Sequence, residues 1–218
     1  MVALARVLVV DDDVDVAEVL QDFFVDEGYD VRTAHNGRVA LDLFDAWRPN
    51  VVLLDLRMPG MSGAEAFVRI RAMQPTAAVV FVTGADDEAL ARRLLREGAT
   101  DYVMKPVDLD YCALAVLLSV GRMAGTPGHE TPEPVTQALY RLVRDVRTLD
   151  TASTKLRDEL EMLAFAALRD ALAHHPERAQ SQIEMFRRCL EAAPEAALSR
   201  GDRAILSHTL DDLTASHH

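Results

Sequence analysis

Five short apolar runs alternate with stretches of helical periodicity over residues 6–123, and this alternation constrains the fold more than any other feature. Most of the runs are rich in β-branched or aromatic residues, as buried strands are. Strands and helices in strict alternation form a parallel sheet with right-handed crossovers and helices on both faces. We therefore predict a doubly wound α/β domain whose five parallel strands cover residues 7–10, 29–34, 51–54, 78–82 and 102–104. Gly28 and Gly98 fall where two of the intervening helices would end, a position that favours glycine.

The remainder of the chain has a different organisation. Residues 124–136, AGTPGHETPEPVT, contain no hydrophobic periodicity and are rich in glycine and proline, which is typical of a linker. No strand pattern follows them. We predict an α/β domain over residues 1–123, a linker over 124–136 and an all-α helical, coiled-coil-like domain over 137–218.

A seam of apolar residues at alternating spacings of three and four runs through the helical domain for about four heptads. Ser153 interrupts it within TLDTAST, a stretch of low helix propensity that is expected to kink or break the helix. Three packings remain open: a two-stranded coiled coil, one arm of a helical hairpin that could pair into a four-helix bundle, or an intramolecular core. The seam consists of Leu139, Leu142, Val146, Leu149, Ser153, Leu156, Leu160, Leu163 and Ala167.

Composition narrows the class of function. The net charge of -12 argues against a general nucleic-acid binder and against binding to an anionic membrane surface. The longest apolar run, residues 113–120, is far shorter than the roughly 20 residues that a membrane helix needs. The N-terminal residues lack the layout of a signal peptide, and the two cysteines, 77 positions apart, form no disulfide or metal-binding pattern. These features predict a cytoplasmic protein.

Chemistry is expected at the carboxyl ends of the strands, where open parallel sheets bind their ligands. Asp11 and Asp12 follow the first strand, Asp55 ends the third, Thr83 ends the fourth and Lys105 ends the fifth. Three carboxylates that converge at one edge need a compensating cation, and Mg²⁺ is a hard ion that binds carboxylates, carbonyls and water. A carboxylate nucleophile, Mg²⁺, a lysine and a hydroxyl together form a site for phosphoryl transfer, with Asp55 attacking phosphorus in line.

Residues 6–123 resemble the receiver domain of bacterial two-component response regulators. Four segments carry the resemblance, in the right order and at the right spacing: VLVVDDD, VVLLDLRMPGMSG, VVFVTG and DYVMKPVD. The resemblance implies a flavodoxin-like fold and a regulatory phosphoacceptor that catalyses only its own phosphorylation and dephosphorylation. The helical region resembles no family that we identify.

The resemblance also implies a role for each site residue. Asp55 would accept the phosphoryl group, and Asp12, Asp11, Asp55 and the Arg57 backbone carbonyl would bind Mg²⁺. Lys105 and Thr83 would bind the phosphoryl oxygens, and Thr83 and Tyr102 would form a switch pair. The Lys105–Pro106 bond is expected to be cis, and Pro59, Gly60 and Gly63 would shape the loop after the acceptor. Asp13 lies outside the metal pair and is expected to begin the first helix.

The resemblance to receiver domains also implies which partners the protein has. A histidine kinase or phosphotransfer protein would supply the phosphoryl group, and the helical domain would mediate homodimerisation or docking to a protein partner. The alternative is a transcriptional regulator whose C-terminal helices bind DNA. The net negative charge of the C-terminal region disfavours DNA binding, because residues 127–218 contain 11 Arg or Lys against 15 Asp or Glu.

A minor alternative uses the same residue types. Haloacid-dehalogenase-like phosphohydrolases carry a strand that ends in Asp-x-Asp, followed by a threonine, a lysine and a late acidic pair. Asp11 and Asp13 would supply the first motif, with Asp11 as the nucleophile. However, no acidic pair follows Lys105 at a strand end, and the segment around Asp55 would have no role.

Overall fold

The computed structural model describes residues 5–121, 134–149, 154–172, 175–194 and 197–215. These residues divide into two compact units, Met1–Glu130 and Thr131–His218. The strands of the first unit are β1 (Arg6–Val10), β2 (Asp30–Ala34), β3 (Val51–Asp55), β4 (Ala78–Thr83) and β5 (Asp101–Met104). Its helices are α1 (Val14–Asp26), α2 (Gly37–Trp47), α3 (Gly63–Met73), α4 (Glu88–Arg96) and α5 (Leu109–Gly121), and a short 3-10 helix, Ala85–Asp87, precedes α4.

The five strands form one parallel sheet in the order β2-β1-β3-β4-β5, which confirms the predicted α/β fold. The order reverses between β1 and β3, so that right-handed crossovers distribute the helices over both faces. Every residue of β3 and β4 is buried, because helices cover both sides of the sheet centre. The edge strand β2 instead alternates in exposure. Gly28 and Gly98 both have positive φ, as expected of residues that end helices.

The second unit consists, in its described part, of four helices: α6 (Pro134–Thr148), α7 (Thr154–Leu172), α8 (Pro176–Ala192) and α9 (Arg200–Ala215). Helix α6 packs against α7 and α9, and α8 packs against α7 and α9, as in a four-helix bundle. The predicted linker lies mostly outside the described residues, but its last residues, 134–136, belong to α6. No helix in the described ranges is both long and apolar enough to cross a bilayer.

The apolar seam is buried within a single chain. Its described members in α6 and α7 are nearly inaccessible, with the exception of Leu156. The seam does not continue as one helix, because α6 ends at Thr148 and α7 begins at Thr154; Ser153 itself lies outside the described residues. The structure therefore agrees with the helical-hairpin and intramolecular-core packings rather than with an uninterrupted coiled coil.

Candidate functional site

The sheet brings three of the predicted site residues into direct contact. The Lys105 ammonium lies 2.7 Å from Asp11 Oδ2 and 3.0 Å from Asp55 Oδ1. Asp11 follows β1, Asp55 ends β3 and Lys105 follows β5, so the three side chains meet at the carboxyl edge where the strand order reverses. The Lys105 amide also donates to the Thr83 carbonyl oxygen at 2.7 Å, which ties the lysine to the end of β4.

The three aspartates after β1 have different surroundings, and only Asp13 caps the helix that follows. Asp11 is 1% exposed, and its Oδ1 accepts a hydrogen bond from the Asp13 amide at 3.0 Å. Asp13 is the N-cap of α1, as predicted, and its carboxylate accepts from the Asp15 and Val16 amides. Asp12 is exposed. Hence Asp11 and Asp12 remain available to a ligand while Asp13 begins the helix.

Asp55 is buried, and two donors hold its carboxylate. Lys105 contacts Oδ1, and the Arg57 amide donates to Oδ2 at 2.7 Å. Burial raises the pKa of Asp55, and the negative charge of Asp11 adds to this effect, whereas the hydrogen bonds and charge of Lys105 and the Arg57 amide oppose it. The carboxylate is therefore oriented yet poorly solvated, which suits a nucleophile that becomes less charged at its oxygen when it is esterified.

The pKa of Lys105 is raised by its two acidic neighbours. Burial alone would lower the pKa of its ammonium group, but the hydrogen bonds and negative charges of Asp11 and Asp55 together raise it. The lysine is therefore a permanent cation at neutral pH. It can stabilise negative charge that develops beside Asp55.

Carboxylate oxygens of Asp11, Asp12 and Asp55 lie within 4.8 Å of one another. Within the described residues, Lys105 is the cation that forms ion pairs with Asp11 and Asp55, so one positive charge faces three carboxylates. Oxygen donors of this number and sign fit a hard divalent cation such as Mg²⁺.

Thr83 and Tyr102 are both completely buried on neighbouring strands. The Thr83 hydroxyl has no hydrogen-bond partner in the described part of the chain. An unsatisfied buried hydroxyl is costly, and it is explained when a ligand supplies the missing acceptor. The Tyr102 ring belongs to the hydrophobic core, with the Arg92 guanidinium 5.9 Å from its centroid.

The loop after Asp55 depends on two glycines for different reasons. Gly60 has a φ of 82°, a left-handed conformation that favours glycine, although space around it is open. At Gly63 a Cβ atom would lie 2.0 Å from the Asp55 carbonyl oxygen, so only glycine permits this close approach. The Met61 amide bonds to the Pro59 carbonyl, which closes the turn between them. On the opposite side of the site, the Lys105–Pro106 bond is cis, as expected.

Two contacts were not predicted from the sequence, one beside the site and one at the amino end of β5. The Arg57 side chain forms an ion pair with Asp87, which raises the pKa of the guanidinium, and the Tyr111 hydroxyl donates to the buried Asp101 carboxylate at 2.5 Å. The first contact joins residues 30 positions apart. It could not be found from spacing, because it depends on how two loops approach each other.

Comparison with known proteins identifies the first unit. The family model described as the response regulator receiver domain matches residues 7–116. The regulatory protein AtoC of Escherichia coli is 41% identical over 116 residues, which cover 53% of this chain and 25% of AtoC. The transcriptional regulatory protein TrcR of Mycobacterium tuberculosis is 30% identical over 185 residues, covering 84% of this chain and 70% of TrcR.

The solved structures agree with this assignment. A receiver domain protein from Clostridium thermocellum superimposes with a TM-score of 0.53 at 29% identity, covering 55% of this chain and 96% of that one. The chain thus spans a quarter of the length of AtoC but nearly the whole of a separate receiver domain. The family match covers half of the sequence and coincides with the sheet that carries the acidic site. The chain belongs to the two-component response regulators, through its receiver domain.

Proposed function

We propose that Asp55 accepts a phosphoryl group from a phosphohistidine of a histidine kinase or phosphotransfer protein in the cytoplasm. The observation that carries the proposal is the Lys105 ammonium between Asp11 and Asp55, on the sheet edge that also bears the Thr83 hydroxyl. A carboxylate oxygen of Asp55 attacks phosphorus in line. A P–O bond forms, the P–N bond to the donor histidine breaks, and the imidazole leaves with the bonding electron pair.

The residues around Asp55 stabilise the negative charge of the phosphoryl oxygens. Lys105 binds one equatorial phosphoryl oxygen, and Thr83 donates its hydroxyl proton to another. Asp11, Asp12, Asp55 and the Arg57 backbone carbonyl are the proposed ligands of Mg²⁺. The ion, when bound, supplies the positive charge that three carboxylates and a phosphoryl group require.

Phosphorylation is proposed to act through the switch pair. Thr83 moves toward the phosphoryl group, and the space that it leaves stabilises the Tyr102 ring in the buried position that it already occupies in the structure. This reshapes the surface formed by α4, β5 and α5. The helical domain, residues 137–218, is the proposed output, through homodimerisation or docking to a protein partner. The chain would then be a regulatory phosphoacceptor rather than an enzyme with a separate substrate.

Phosphate mapping tests the acceptor. Incubation with acetyl phosphate and Mg²⁺ should add one phosphate to the wild-type chain and none to Asp55→Asn, with the acid-labile group mapping to Asp55. Asp13→Asn is a matched control, because it removes a neighbouring carboxylate but retains an N-cap side chain. Labelling at Asp11 would instead support the haloacid-dehalogenase-like alternative, which the family match does not favour.

DNA binding is a second candidate function for the helical domain, because TrcR, whose name describes a transcriptional regulator, aligns beyond the receiver domain. The described helices of the second unit carry acidic residues among their basic ones, as in α9, where Asp202, Asp211 and Asp212 would face DNA phosphates if that helix read bases. We therefore favour protein docking. Light scattering with and without beryllofluoride should show whether the oligomer depends on the site, and a gel shift against genomic fragments should show no binding.

A further inference from the structure

Asp87 occupies the N-cap position of α4 but does not cap that helix. N-cap aspartates normally accept hydrogen bonds from amides of the first turn, yet the Asp87 side chain makes no such bond. Its carboxylate instead pairs with the Arg57 guanidinium. Glu88, the other acidic residue at this end of α4, is engaged by Arg92 at 2.5 Å. The N-cap side chain of α4 therefore does not form the hydrogen bond that an aspartate at this position normally makes.

Arg57 has one end in the phosphorylation site and the other on α4. Its backbone amide donates to Asp55 Oδ2 at 2.7 Å, so its side chain starts beside the proposed phosphoacceptor. The Arg57 side chain is 68% exposed, whereas the Asp87 side chain is 13% exposed. Asp87 is also linked to the site through the chain, because it ends the short 3-10 helix that follows Thr83 and Gly84.

We propose that Arg57 and Asp87 form an electrostatic latch in which phosphorylation of Asp55 draws the Arg57 guanidinium to the phosphoryl oxygens and frees Asp87 to cap α4. The inference rests on the proposed function of Asp55. It assigns to Arg57 a positioning role in retaining the phosphoryl group, and to Asp87 the role of passing the change to α4.

The charges favour such an exchange. Esterification replaces the single charge of the Asp55 carboxylate with about two negative charges on the phosphoryl oxygens. Guanidinium binds phosphoryl oxygens with bidentate, charge-assisted hydrogen bonds, and the phosphoryl group carries more negative charge than the Asp87 carboxylate. Arg57 therefore has a better partner after phosphorylation than before it.

The released Asp87 also gains a partner, so neither arrangement strands a buried charge. Its carboxylate would accept from the Ala89 or Leu90 amide and would complement the positive end of the α4 dipole. Each state thus satisfies both side chains, which is the requirement for a two-state element rather than a gradual distortion. The latch would couple phosphorylation of Asp55 to α4 independently of the switch pair Thr83 and Tyr102.

Beryllofluoride, which mimics the phosphoryl group on an aspartate, provides the test in the full-length chain. Its affinity in the presence of Mg²⁺ is measured by calorimetry for wild type, Asp87→Asn, Arg57→Gln and the double variant. Asp87→Asn keeps a capping side chain but removes the charge that holds Arg57, so affinity should rise about threefold. Arg57→Gln should weaken binding by a similar factor, and the double variant should bind like Arg57→Gln alone.

Asp86→Asn is the matched control, because Asp86 carries the same charge next to Asp87 but the hydrogen bond of Arg57 goes to Asp87. It should change the affinity far less than Asp87→Asn does. Equal effects of the two substitutions, or an undiminished effect of Asp87→Asn in the Arg57→Gln background, would overturn the latch while leaving Asp55 as acceptor. Failure of wild type and every variant to bind beryllofluoride would overturn the proposed function and the latch together.

Discussion

The two units handle buried charge in opposite ways. At the carboxyl edge of the sheet, Asp11, Asp12 and Asp55 cluster around one lysine, so that negative charge is in excess. In the helical unit, Arg147 of α6 pairs with Glu161 of α7 at 2.8 Å, which balances the two charges locally. The sheet edge leaves charge uncompensated where a ligand can enter, whereas the bundle pairs its buried arginine with a carboxylate of the neighbouring helix.

The difference follows from how each architecture positions its side chains. Parallel strands all end at the same edge, so residues distant in sequence converge there whatever their charge. Helices in a bundle instead meet along their length, and a charged residue at a buried position must find its counterion on the facing helix. The Thr209 hydroxyl of α9 similarly reaches Asp145 of α6, with an oxygen–oxygen distance of 3.0 Å. Excess charge is therefore a sign of function in the first unit, and paired charge is a sign of packing in the second.

Removing the cation from each unit should separate the two cases most clearly. Arg147→Met removes the nearly buried cation that pairs with Glu161 and is expected to lower the free energy of unfolding of the helical unit by about 3 kcal/mol, independently of Mg²⁺. Lys105→Met should destabilise the receiver by about 2 kcal/mol, since Lys105 is partly exposed, and Mg²⁺ should restore most of that loss. Denaturant unfolding of both variants with EDTA or Mg²⁺ measures the difference. Rescue of Arg147→Met by Mg²⁺, or no rescue of Lys105→Met, would remove the contrast.

Gly63→Ala should damage the site through backbone geometry rather than through charge. The added Cβ would overlap the Asp55 carbonyl oxygen, so the loop must move, at a cost of about 2 to 3 kcal/mol and with loss of phosphate uptake from acetyl phosphate. Gly60→Ala is the matched comparison, because its φ of 82° is strained for alanine but no atom lies within 4 Å of the new Cβ. That variant should cost only about 1 kcal/mol and retain phosphate uptake. Equal losses in the two variants would show that close approach to Asp55 is not the reason for Gly63.

Local patterns in the sequence were sufficient for the fold of the first unit and for the meeting of its main polar residues. Hydrophobic runs located the ends of all five strands to within one residue, because buried central strands need uninterrupted apolar sequence. Topology then brought Asp11, Asp55 and Lys105 together without any information about their side-chain conformations. Their roles in binding Mg²⁺ and the phosphoryl group remain predictions.

Contacts that depend on the approach of two separate segments could not be predicted. The heptad seam identified Leu139, Leu142 and Leu160 as buried, but the same pattern fits a partner helix in another chain or in this one. Nor does any spacing rule connect Arg57 to Asp87, because both belong to loop ends whose side chains can reach several neighbours. Periodicity reports which face of an element is buried, and not what covers it.

The raised pKa of Asp55 predicts how stability depends on pH. An acid whose pKa is higher in the folded state stabilises the fold fully below its ordinary value of 3.8 and loses that contribution as pH rises through the folded-state value. Asp55→Asn should therefore be more stable than wild type at pH 7 without Mg²⁺, by about 1 kcal/mol, with the advantage shrinking toward pH 4. Denaturant titrations across this range measure the gap. A gap that does not change with pH would mean that the charge of Asp55 is not the cause.

Asp145 is a buried aspartate of the helical unit whose hydrogen-bond partner is a hydroxyl rather than a lysine, so its effect on the pH dependence of stability can be compared with that of Asp55. Burial raises the pKa of Asp145, while the hydrogen bond from Thr209 and the positive charges of Arg144 and Arg141 lower it. Thr209→Val removes that donor, so it should cost about 1 kcal/mol at pH 7, and less as acidification protonates Asp145, because the hydrogen bond favours the charged carboxylate. Thr209→Ser restores the hydroxyl and should recover most of the stability at pH 7. Mg²⁺ should not change the free energy of unfolding of either variant. If the ion stabilised them, acidic residues outside the edge of the sheet would also bind metal.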